Sequence, residues 1–90
     1  KTAENWGLVS RVVPAATLMD EAKALALRIA RQPPDVLRMT KKLLREGMGV
    51  SFDTIMELSA SMQALAHHTE DHAEAVSAFL DKRPPSYKGR

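Results

Sequence analysis

Ninety residues and 9.9 kDa, with no cysteine and with 44% apolar and 27% charged residues, describe one small globular unit. They exclude a disulfide scaffold and a helical membrane span, and a chain this short buries only about 60–65% of its unfolded surface, so a core of its own is marginal. Thirteen basic against eleven acidic residues give a net charge of +2. That balance argues against nucleic acid as a partner and is sufficient only for a local cluster facing a phosphate-bearing ligand.

In chain order, Ala3 to Trp6 reads as the tail of a helix stopped at Gly7, a residue free to take positive φ. Leu8 to Val13 (LVSRVV) is β-branched and loosely alternating, which predicts a short strand closed by Pro14. No second strand follows to pair with it. From Thr17, a candidate N-cap, the period becomes helical. Leu18, Ala22, Leu25 and Ile29 share one face, Asp20 and Glu21 sit in the first turn, and Arg28 and Arg31 sit near the end. Pro33-Pro34 ends this helix and opens the next, because proline is tolerated in a first turn and excluded from an interior.

The second full helix spans about Pro34 to Glu46, with Val36, Leu37, Thr40, Leu43 and Leu44 inward, and Gly47 and Gly49 close it. Ser51 caps a third, whose apolar line is Phe52, Ile55, Met56, Met62, Leu65 and Ala66, and whose small residues Ser59, Ala60 and Ser61 permit close helix approach. Thr69, with Glu70 and Asp71 behind it, starts a fourth, with Ala73, Val76, Phe79 and Leu80 inward. Lys82-Arg83 lies at its end and Pro84-Pro85 forbids extension. The expected class is all-α, about four short helices with a short N-terminal strand. Helices this short need tertiary partners, and their wide apolar stripes predict exposed apolar surface.

Few residues carry recognisable chemistry. His68 and His72 are four apart with Glu70, Asp71 and Glu74 nearby, but a helix boundary at Thr69 separates them and no HExxH order exists, so no metal site is read here. Glu46, Glu57 and Glu74 stand alone in sequence and read as solvated helix faces. Neither a Gly-rich phosphate loop nor a G-x-S-x-G elbow nor a cysteine nucleophile is present, so no catalytic residue is assigned. The basic end is different. Lys82, Arg83, Lys88 and Arg90 fall within nine positions, and Phe79 precedes Lys82 by one helical turn, so ring and ammonium share a face that could seat an adenine bearing phosphates. On spacing alone, Phe79 reads as core and the lysines as helix-terminus charges.

Four collinear blocks add to this. WGLVSRVVP, a helix of the form L-x-x-E-A-x-x-L-A-x-x-I-A, PPDVLRMTKKLLREG and TEDHAEAVSAFLDKRPPSYKGR together resemble the C-terminal part of the enoyl-CoA hydratase/isomerase (crotonase) superfamily, over Ala3 to Arg90. The resemblance implies a parent subunit with an N-terminal ββα spiral that holds an acyl-CoA thioester, two backbone amides forming an oxyanion hole, and a C-terminal helical part that covers the site and builds trimers or hexamers. It implies that residues 1–14 are a helix end, strand and linker from the spiral and 15–90 the helical oligomerisation and lid domain, with the catalytic glutamates outside the matched segment. The opening residue, Lys1 rather than Met, agrees with a segment of a longer protein.

Residue by residue, the resemblance carries one role over. Phe79 and Lys82 match the positions of the A-F-x-x-K-R ending that approach the adenine and phosphates of coenzyme A, often on a neighbouring subunit; Lys88 matches a basic position of less uniform role. Ala75 departs from the family's frequent glycine, and Trp6 from its smaller residues. The implied parent reaction is hydration of a 2-enoyl-CoA, with double-bond isomerisation the nearest alternative and a stand-alone, intertwined helical interaction module a third. No tightly bound cofactor is expected, coenzyme A arriving as part of the substrate. Neither membrane nor nucleic acid is an expected partner. The expected compartment is the cytoplasm, or the mitochondrion for a eukaryotic parent.

Overall fold

The computed structural model describes all 90 residues, Lys1–Arg90. Helix α1 (Thr2–Asn5) ends as the sequence predicts. Gly7 takes φ 73°, its amide donates to the Glu4 carbonyl at 3.0 Å, and the Leu8 amide donates to that of Ala3 at 2.9 Å. This pair of bonds closes a helix end through one left-handed residue.

The strand expected over Leu8–Val13 does not form. The segment is a series of bends and irregular backbone, with no second strand in the chain to pair with it. It is held instead by an ion pair from Arg11 to Glu21 at 2.7 Å. A single 3-10 turn (Ala15–Thr17) then leads into α2 (Leu18–Ala30). Thr17 does not act as the expected side-chain cap. The 3-10 turn directs its hydroxyl back to donate to the Pro14 carbonyl at 3.1 Å.

Helix α3 (Pro34–Glu46) begins with Pro34 in its first turn, and α4 (Phe52–His67) begins at Ser51, whose Oγ accepts from the Thr54 amide at 3.2 Å. The two pack together through half-buried Val36, Leu37, Met39 and Leu43 on one side and Ile55, Leu58, Ser59 and Met62 on the other. Gly47 lies in the tight turn between them, where a Cβ would stand 3.0 Å from the Leu43 carbonyl oxygen and 3.4 Å from Ile55 Cγ1. Thr69 joins α4 to α5 (Glu70–Leu80). Its hydroxyl donates to the Ala66 carbonyl at 2.7 Å and accepts from the His72 amide at 3.1 Å.

The architecture is therefore all-helical and open. The radius of gyration is 16.9 Å, where a compact chain of this length has about 12 Å. Extents of 43 × 39 × 19 Å describe a flat body. Only two residues are buried, Ala78 and Asp71. The apolar line of α2 meets only the segment before it, around Arg11 and Val13, and Leu18, Leu25 and Ile29 all remain exposed. No helix is long and apolar enough to cross a membrane.

Candidate functional site

The site is built where α5 ends and the chain turns back along it. Three backbone bonds close the helix: Asp81 to the Ser77 carbonyl at 2.9 Å, Lys82 to Phe79 at 3.3 Å and Arg83 to Ala78 at 3.0 Å. The last two repeat the arrangement at Gly7, but the left-handed position is filled by a lysine. Lys82 has φ 55° and is the one non-glycine residue with positive φ. Such a conformation brings an L-residue's Cβ against the following carbonyl and costs roughly 1–2 kcal/mol. It persists where the neighbours over-determine it.

Here they do. Arg83 grips Glu74 with both arms of its guanidinium, at 2.6 and 3.0 Å, and the Ser86 amide donates to the same carboxylate at 3.0 Å. Arg83 also donates to Ser77 Oγ at 3.3 Å and lies 3.5 Å from Asp81. The Arg83 hydrogen bonds, then the Ser86 amide, hold the Glu74 carboxyl down to about 2, and Glu74 in turn pushes the Arg83 guanidinium up.

Further along, residues 84–90 lie as a strap against α5. Asp71, 3% exposed, accepts the Lys88 amide on Oδ1 at 2.7 Å and the Gly89 amide on Oδ2 at 2.8 Å, while its own amide donates to the Arg90 carbonyl at 3.0 Å. Arg90 pairs with Glu70 at 3.0 Å. A polar cavity of ≈ 310 Å³ remains between helix and strap, lined by Glu74, Ser77, Ser86 and Lys88 among others. The strap also reaches the α2–α3 turn. Pro84, Pro85 and Tyr87 form a groove of ≈ 330 Å³ with Ala30, Arg31 and Pro34.

The covered side of α5 thus runs through Asp71, Glu74, Ala75 and Ala78, and the side expected to face inward is open. Phe79 is 81% exposed and Leu80 72%, which corrects their reading as core. Glu74 is likewise no solvated helix face but the anchor of Arg83, whereas Glu46 and Glu57 are exposed as expected. The four bases of the C-terminal cluster do not act alike. Arg83 and Arg90 are engaged by Glu74 and Glu70, while Lys82 and Lys88 have no ion-pair partner. Periodicity could not find Asp71, because its partners are backbone amides seventeen and eighteen residues away. The only hint was an acid in a first turn. As for the histidines, the rings that meet are His67 and His72, stacked at 4.6 Å, and no three His, Cys, Asp or Glu side chains converge.

Comparison with known proteins agrees along the whole chain. It is 38% identical over 88 residues to the 1,2-epoxyphenylacetyl-CoA isomerase of Escherichia coli, and 38% over 88 to the 2,3-dehydroadipyl-CoA hydratase of the same organism. Each match covers 98% of this chain and 34% of the relative, so the chain spans about a third of their length. The crystal structure of an enoyl-CoA hydratase from Bacillus anthracis superposes with a TM-score of 0.92 at 34% identity, over 99% of this chain and 34% of that one. The family model for enoyl-CoA hydratase/isomerase matches residues 1–90, and the chain belongs to that family.

Proposed function

We propose that this chain is the C-terminal helical part of an acyl-CoA-processing enzyme, and that its own work is assembly, closure of the acyl pocket and contact with coenzyme A. The observation that carries the reading is the pairing of an exposed aromatic ring, Phe79, with an uncommitted ammonium, Lys82, tied by the bond from the Lys82 amide to the Phe79 carbonyl. An open ring face can take an adenine and the ammonium its phosphates. In the division of the chain that goes with this reading, residues 1–14 connect to a spiral core and 15–90 form the oligomerisation and lid domain.

The parent reaction is hydration of a 2-enoyl-CoA, with carboxylates outside these residues delivering water across the double bond. Double-bond isomerisation is the alternative: the family model covers both hydratases and isomerases, and an epoxyacyl-CoA isomerase matches at the same 38% as a hydratase. In this reading the segment is inactive alone, the catalytic carboxylates lying outside these residues. Coenzyme A enters as the carrier of the substrate, no resident cofactor is needed, and the cytoplasm is the expected compartment. A stand-alone helical oligomer is the second reading, favoured by the exposed apolar faces.

Isothermal titration of coenzyme A into the intact protein tests the site. Lys82→Ala raises Kd by about tenfold, the equivalent of one charge-assisted hydrogen bond to phosphate, with kcat little changed. An unchanged Kd removes Lys82, and with it the coenzyme A reading of this face.

A further inference from the structure

We infer that Glu74 is a positioning residue for the Phe79–Lys82 face: by holding Arg83 it fixes the left-handed turn from which Lys82 projects. The inference rests on the proposed coenzyme A contact and adds to it the group that sets its geometry.

Lys82 stands between two pinned neighbours. Asp81 is held by its amide bond to Ser77, and Arg83 by its amide bond to Ala78. These bonds also occur at Gly7, where a glycine adopts the turn without strain. At Lys82 something more must oppose relaxation of a strained residue. The addition at this end of α5 is the Glu74 carboxylate. Its two oxygens take both Arg83 nitrogens, and Oε1 also takes the Ser86 amide. One side chain on the second turn of α5 thus clamps the residue immediately after Lys82 and the strap four residues on.

The same pairing also sorts the cations. A guanidinium suits a planar two-point grip on a carboxylate, and an ammonium suits a freely oriented contact with phosphate. Arg83 is engaged with Glu74 and Lys82 is left with no partner, so the carboxylate does not compete for the ammonium that the ligand uses. Were Glu74 removed, the released turn would let Lys82 adopt an ordinary conformation, and Arg83 would lose its main anchor.

The test uses the intact protein with two substrates, a 2-enoyl-CoA and the same acyl group on N-acetylcysteamine, which lacks the nucleotide. Glu74→Gln raises the KM for the CoA ester and the Kd for coenzyme A by roughly three- to tenfold with kcat little moved, the range of one lost charged contact. The kcat/KM for the N-acetylcysteamine ester falls far less. Arg83→Lys, which keeps the charge but loses the fork, is read in the same way should the glutamine variant not fold. An equal loss on both esters makes Glu74 a structural residue and overturns the inference. So does an unchanged coenzyme A Kd in Glu74→Gln while Lys82→Ala weakens it, a result that leaves the proposed function standing. If Lys82→Ala has no effect, the proposed site falls and this inference falls with it.

Discussion

Replacing Lys82 by glycine separates two effects that most substitutions confound. In the folded chain Lys82 sits at φ 55°, its side chain is exposed and makes no hydrogen bond or ion pair, and both helix-closing bonds come from backbone amides that glycine retains. Removing the side chain therefore relieves the left-handed penalty of roughly 1–2 kcal/mol while adding about 0.4–1 kcal/mol of unfolded-chain entropy. The net is a local stabilisation of about 1 kcal/mol, or about fivefold in an opening equilibrium. Hydrogen exchange at the Arg83 amide, which donates to Ala78 across this turn, reads that opening directly and slows by that factor. At the same time the protein loses the ammonium, and its affinity for coenzyme A falls by about tenfold, as for the alanine variant. A more rigid turn with weaker binding is the expected combination. Faster exchange at Arg83 refutes the strain assignment, and unchanged affinity refutes the role of the charge.

Two further outcomes follow from the carboxylates. Glu74 is held at about 2 against a usual 4.5, so its contribution to the strap is complete above about pH 4.5 and is lost as pH falls through the folded value. A carbon NMR titration of its carboxyl shows a midpoint near 2, moving up toward the usual range in Arg83→Ala; a wild-type midpoint at the usual value would falsify the bidentate grip. Asp71→Asn keeps one acceptor for two amides and turns an NH2 toward the other, at a cost of about 1–3 kcal/mol for a buried donor left unpaired. One of the Lys88 and Gly89 amides then loses its exchange protection, and equal protection of both in the variant counts against the clamp.

The sequence revealed most of the elements and little of the packing. Gly7, Pro33-Pro34, Ser51 and Thr69 each mark a boundary through their own backbone or side chain, and each boundary falls where the residue puts it. Leu8–Val13 has the composition of a strand, but a strand is a property of two segments, and the second is absent. The inward faces failed for a related reason. Apolar spacing identifies a face that seeks cover, and in α5 that face, with Phe79 and Leu80, has none within these residues. The face that is covered carries Asp71 and Glu74, satisfied by a strap nine to eighteen residues further on, and no local pattern announces such a contact. Phe79 and Lys82 were visible as a pair, though the left-handed conformation of Lys82 was not.

The inversion of α5 has a physical logic. The chain exposes 7560 Å², whereas a compact protein of this mass exposes about 5,200 Å². The excess is about 2,400 Å², and the exposed apolar side chains of α5 are part of it. A helix whose apolar face is uncovered is not fixed by a hydrophobic core, and in α5 the other face is fixed by polar contacts. Asp71 accomplishes this through the amides of Lys88 and Gly89, which leaves the Lys88 ammonium without an ion-pair partner. Glu74 does so through an arginine, which leaves the adjacent lysine free. Both devices stabilise the end of the chain without covering Phe79, Leu80 or Lys82. The polar contacts that fix one face of α5 thus leave open the face on which the proposed contacts depend.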